Sequence, residues 1–150
     1  MSTARAILLV EDNPMDIDLT LRAFKRRKLV NPIDVAYDGE EALRHIEAWE
    51  AGAAVPLVVL LDINLPRISG LQVLRRIKES PTLRAIPVVM LTTSADSGDI
   101  SEAYRLGGNS YIVKPVDFDK FIEVAAAIEL YWCALNRPLD DPNGRIQWPL

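Results

Sequence analysis

Short runs of branched and apolar residues recur five times along the chain, and four of the gaps between them repeat apolar positions with a helical period. The expected strands are Ile7 to Val10, Ile33 to Ala36, Leu57 to Leu61, Val88 to Leu91 and Ser110 to Val113. Three of these are unbroken apolar, as strands covered on both faces are. Pro32, Pro56 and Pro87 stand at strand beginnings, where a missing N–H does least harm. Helices are expected to begin near Met15, Glu40, Leu71, Asp99 and Phe118. Asn13-Pro14-Met15-Asp16 offers a capping amide, a proline at the first helical position and an acid in the first turn, and Asp38 serves the second helix similarly. Strand and helix alternating five times predict an α/β fold, a doubly wound five-stranded parallel sheet with helices on both faces.

Composition sharpens this picture only in places. A chain of 150 residues, 49% hydrophobic and 25% charged, is expected to form one domain with a real core. The pattern breaks after the last helix, so residues 1-136 are expected to be the domain and 137-150 an extended C-terminal arm closing on Ile146, Trp148 and Leu150. Apolar runs such as Leu57 to Leu61 fall short of the roughly 20 residues of a membrane span. Glu11 and Asp12 cut the first run too early for a secretory signal. No membrane association is expected. A lone Cys133 beside Trp132, Ala134 and Leu135 points to a packed thiol and a cytoplasmic, reducing compartment. The net charge of -4 argues against nucleic-acid binding. The single basic cluster, Lys25 to Lys28, falls where a helix ends and complements its dipole. His45, between Arg44 and Glu47, is expected to be a solvated side chain.

In doubly wound sheets the functional crevice lies beyond the carboxyl ends of the strands. The residues there are Glu11 and Asp12 after the first strand, Asp62 after the third, Thr92 after the fourth and Lys114 after the fifth. Any one alone is an ordinary strand-end residue or helix cap; four strand ends together are not. Three carboxylates in one pocket require a retained proton or a cation. Oxygen-only donors favour a hard ion, and magnesium is expected, with the Asn64 backbone carbonyl as a further donor. Asp62, on the central strand, is the expected nucleophile for a phosphoryl group. Lys114 would neutralise one phosphate oxygen and the Thr92 hydroxyl donate to another.

These residues carry a resemblance. Val10-Glu11-Asp12-Asn13, Leu60 to Pro66, Ser69-Gly70, Val88 to Thr93 and Tyr111-Ile112-Val113-Lys114-Pro115 are similar to the motifs of two-component response-regulator receiver domains, over roughly Ala6 to Leu135. The resemblance implies a flavodoxin-like sheet of strand order 2-1-3-4-5. It implies that the phosphohistidine of a sensor histidine kinase donates to Asp62. It further implies magnesium on Asp12, Asp62 and the Asn64 carbonyl, with Glu11 in the acidic pocket. Thr92 and Tyr111 would be the switch pair, the hydroxyl moving toward the phosphoryl group as the ring turns inward. The chain would be no enzyme beyond magnesium-dependent self-phosphorylation and self-dephosphorylation. Thr93 stands where the family usually has a smaller residue, often alanine, so access of small phosphodonors is expected to differ. The Glu11 to Pro14, Leu91 to Ser94 and Lys114 to Phe118 segments look most similar to stand-alone regulators partnered with bacterial phytochrome kinases.

Only about fifteen residues follow the last helix, so output is expected through contact with another protein. That helix, from Phe121 to Leu135, is apolar around more than one stripe. A homodimer through it and the arm is expected; the alternative is an arm folded over its own helix. Two rival functions use a similar sheet. An aspartyl-phosphate-type hydrolase would want a second acid where Asn64 stands. A flavin or nucleotide binder would want a glycine-rich phosphate loop where the first loop is acidic.

Overall fold

The structure, a computed structural model, describes residues 4–115 and 117–137. Expected and observed strands nearly coincide: β1 (Ile7–Val10), β2 (Ile33–Ala36), β3 (Val58–Leu61), β4 (Val88–Thr92) and β5 (Ser110–Val113). All neighbours are parallel, in the order β2-β1-β3-β4-β5. The third strand starts one residue later than expected, although the Leu57 amide still donates to Ala6. The fourth runs one residue longer, taking in Thr92, which pairs with Val113.

The period of two in a strand decides which helix covers which side chain. Leu8, Val10, Val59, Leu61, Val88 and Met90 meet α2 (Gly39–Glu50), α3 (Gly70–Glu79) and α4 (Ser97–Arg105) on one face. Ile7, Leu9, Val58, Leu60, Val89 and Leu91 meet α1 (Pro14–Arg26) and α5 (Phe118–Ile128) on the other. The three central strands, β1, β3 and β4, are buried throughout, whereas β5 is an edge whose Val113 is 43% exposed.

Helix starts follow their caps. Asn13 accepts from the amides of Met15 and Asp16 with Pro14 in the first turn; Asp38 accepts from Glu41. Helix α4 begins two residues before expectation because its cap is Asp96, bonded to the Asp99 amide. Ser69 and Gln72 form a reciprocal capping box for α3. The basic cluster does close α1, and Lys28 turns into the left-handed region at φ 59°. His45 is half-buried rather than fully solvated, with the Trp49 ring tilted beside it at a centroid distance of 6.1 Å.

The last helix is not one continuous α-helix. After Ile128 it widens into a π-helical segment, Glu129–Leu135, which keeps Trp132 buried and leaves Leu130, Tyr131 and Leu135 more than half exposed. Cys133 is half-buried against the α1/α5 core as expected, and burial pushes its thiol up to about 11. Ile146, Trp148 and Leu150 lie outside the described residues. No helix among the described residues is long and apolar enough to cross a membrane.

Candidate functional site

Backbone hydrogen bonds continue past the ladder and fix where the strand-end side chains emerge. The Glu11 amide donates to Ala36, the Asp62 amide to Val10 at 3.1 Å and the Lys114 amide to Thr92 at 2.7 Å. Glu11, Asp62, Thr92 and Lys114 are all buried despite their polarity. Glu11, Asp12 and Asp62 each bring a carboxylate oxygen within 4.8 Å of the others. A cavity of about 450 Å³ opens over them, lined also by Asn13, Pro14, Asp16, Asn64 and Thr93.

Lys114 sits among the acids. Its ammonium donates to Glu11, to Asp62 Oδ2 at 3.1 Å and to Asp16 Oδ2 at 3.0 Å. Asp62 Oδ1 accepts from the Asn64 amide at 3.2 Å, which orients the carboxylate and turns the loop under it. Gly70, at the start of α3, presses so closely on this loop that a Cβ there would lie 1.9 Å from the Asp62 carbonyl oxygen. Arg67, in the left-handed region at φ 63°, ties the far side of the loop to Glu40 at 2.7 Å.

Burial raises the Glu11 carboxyl, the Lys114 hydrogen bond works against it, and the charge of Asp62 reinforces it, leaving Glu11 at about 7. Burial opposes the charged form of Lys114, but the hydrogen bond to Glu11 and the charges of Asp62 and Glu11 outweigh it and hold the amine above its ordinary value. The cluster thus retains a proton near neutrality. A divalent cation fits the same need: the donors are hard oxygens, three are carboxylates, and Asp12 is open to solvent.

A carboxyl raised from 4.5 to about 7 stabilises the fold below 4.5, and that contribution is lost as pH rises through 7. In chelator, urea unfolding is expected to show stability falling between pH 5 and 8 by on the order of 3 kcal/mol. A divalent salt should flatten the decline, because metal binds the deprotonated acids. A stability that rises across this interval in chelator would rule out the retained proton.

The strand-end residues expected from sequence are thus brought together, with two adjustments. Thr92 is fully buried, its hydroxyl accepting from the Ser94 amide at 3.3 Å, while the adjacent Thr93 faces the cavity. The Tyr111 hydroxyl donates to the Ser94 carbonyl at 2.8 Å, with its ring packed on the α2/α3/α4 core. Burial raises that hydroxyl, moderated by the Ser94 bond. Sequence reading did not bring Asp16 to the site; its only signal was an acid one turn into a helix that starts at the sheet edge.

A family model, the response regulator receiver domain, matches residues 7–126. The chain belongs to this family. A receiver domain of this kind is a phosphoacceptor signalling module, and the hydrolase reading gains nothing from Asn64 at the second-acid position. A probable methanogenesis regulatory protein, FilR2 of Methanothrix harundinacea, is 43% identical over 132 residues, covering 87% of this chain and 85% of the relative. The phosphorylated cyanobacterial phytochrome response regulator RcpA superposes with a TM-score of 0.84 at 36% identity, over 91% of this chain and 99% of that one. The bacteriophytochrome response regulator AtBRR, 44% identical, gives 0.71 over 91% of this chain and all of that one (100%).

Proposed function

We propose that Asp62 accepts the phosphoryl group of a sensor histidine kinase, and that Glu11, Asp12, Thr92 and Lys114 are the groups that make the transfer possible. The observation that carries this is the convergence of Glu11 and Lys114, 103 residues apart, on the carboxylate of Asp62. In the transfer an Asp62 Oδ–P bond forms, the donor's P–N bond breaks, and the imidazole leaves with the electron pair. Lys114 offsets the charge of the phosphoryl oxygens and the buried Thr92 hydroxyl turns to donate to one. Magnesium on Asp12, Asp62 and the Asn64 carbonyl, with Glu11 beside it, supplies further neutralisation when bound. In self-dephosphorylation water entering the same open cavity bonds to phosphorus, the Asp62 Oδ–P bond breaks, and inorganic phosphate leaves with the Asp62 carboxylate restored. Tyr111 reports the change, because its hydroxyl rests on the loop that Thr92 begins.

Incubating the protein with acetyl phosphate and magnesium should add one phosphate by intact mass, mapped to Asp62 by peptide analysis, and chelator should prevent it. A phosphate found on another residue would overturn the assignment. The likeness to RcpA and AtBRR supports a phytochrome-type kinase as the donor, and the likeness to FilR2 makes a separate test worthwhile. Phosphotransfer from a purified bacteriophytochrome kinase, faster than from an unrelated kinase, is the expected result.

The proposed organisation is a cytoplasmic receiver of residues 1-136 with a C-terminal arm at 137-150, acting through protein contact. Exposed Leu130, Tyr131 and Leu135 support a homodimer through the last helix and arm. Sedimentation should show a dimer at micromolar concentration, weakened by Tyr131→Glu; a monomer throughout would remove the dimer.

A further inference from the structure

The Lys114 ammonium has three N–H donors, and all three are spent on Glu11, Asp62 and Asp16. A phosphoryl group on Asp62 brings new acceptor oxygens into the hollow, yet no new donor. Bonded to phosphorus, Asp62 no longer carries a carboxylate charge, which frees one N–H of the lysine; a second phosphoryl oxygen is served only if another carboxylate gives way. Of the two acids that remain, Glu11 is 1% exposed, so releasing it would leave its carboxyl without a partner away from water. The Asp16 side chain is 28% exposed and lines both the acidic cavity and the neighbouring one walled by Met15, Leu19, Pro115 and Phe121. Water can replace Lys114 on Asp16. The backbone of Asp16 is held separately, its amide capped by Asn13 and its carbonyl bonded to Thr20 at 2.7 Å, so its side chain can let go without moving α1. An acid placed only to complement the helix dipole would need no contact with Lys114.

We propose that Asp16 is a positioning residue that acts through Lys114: it holds the ammonium in the resting site and competes with the phosphoryl oxygens for it, restraining both gain and retention of the phosphoryl group. This rests on Asp62 being the phosphoacceptor.

The test uses the full chain with magnesium and acetyl phosphate, whose P–O bond breaks with release of acetate as the Asp62 Oδ–P bond forms. Asp16→Asn should gain its adduct about fivefold faster than the natural chain, the factor that one partly exposed ion pair is worth. Asp16→Glu, which keeps the charge, should return the rate toward the natural one. In a Lys114→Gln background, Asp16→Asn should change nothing. In metal-free protein, the Lys114 ammonium protons should exchange with water faster in Asp16→Asn than in the natural chain, read by nitrogen-15 NMR. Equal rates, a slower Asp16→Asn, or the same gain without the lysine would overturn the role of Asp16 alone. No adduct on the natural chain would overturn the phosphoacceptor reading and this one with it.

Discussion

Asp62→Asn should abolish the phosphate adduct while leaving the metal-free protein about as stable as the natural chain. The amide has the shape of the carboxylate and keeps an oxygen for the Asn64 amide, now 3.2 Å away, so the loop retains its turn. It lacks the anionic oxygen that attacks phosphorus. The stability expectation comes from charge. Asp62 is one of the causes that raise Glu11, and Lys114 keeps Glu11 and Asp16 when Asp62 is neutral. Loss of one charge-assisted hydrogen bond and relief of like-charge repulsion oppose each other, so the net change should stay within about 1 kcal/mol. Glu11 should move back toward its ordinary value, and the fall in stability between pH 5 and 8 in chelator should become shallower. Divalent-cation affinity should drop by about tenfold with one ligand charge gone. A loss of adduct accompanied by unfolding would mean that Asp62 holds the loop rather than performs the chemistry; urea midpoints measured beside the mass spectra separate the two.

The acids, the hydroxyl and the lysine were legible because a parallel sheet sends the carboxyl ends of β1, β3, β4 and β5 to one edge, and strand ends can be read from hydrophobic runs. Helix starts were legible to one or two residues because caps are local: Asn13 and Asp38 act within four positions of themselves. What the sequence could not show depends on how separate elements lean on one another. Asp16 reaches Lys114 only because α1 and the end of β5 are brought side by side, a matter of sheet twist and helix angle. Thr92 and Thr93 are adjacent in sequence, yet opposite pleats send one into the core and the other to the cavity. The π-helical turn after Ile128 has no local signal that distinguishes it from the α-helix before it. Gly70 belongs to the same class. It stood in a motif, without a reason of its own.

That reason is space. Gly70 lies outside the left-handed region, so its backbone could accommodate any residue, but a Cβ would meet the Asp62 carbonyl oxygen at 1.9 Å, its carbonyl carbon at 2.7 Å and Ile63 Cα at 2.8 Å. All three are backbone atoms, which cannot rotate aside. Gly70→Ala must therefore push the start of α3 away from the loop or the loop away from β1, stretching the Gly70 amide bond to Ile63 or the Asp62 amide bond to Val10. Destabilisation of about 3 kcal/mol is expected, at the upper end of overpacking in a tight core. The site should suffer separately from the fold, since a shift of the Asp62 carbonyl carries its carboxylate away from Glu11 and Lys114, and positioning is most of what phosphoryl transfer requires. Adduct formation measured well below the unfolding midpoint should fall by about tenfold or more. Gly52→Ala is the contrasting substitution: φ of 108° makes alanine strained there, at a cost of about 1–2 kcal/mol, but nothing lies within 4 Å of its Cβ. It should lower the unfolding midpoint and leave the phosphorylation rate unchanged. Equal phosphorylation rates in both variants would mean that the Asp62 loop tolerates displacement, and that α3 does not press the acceptor into place.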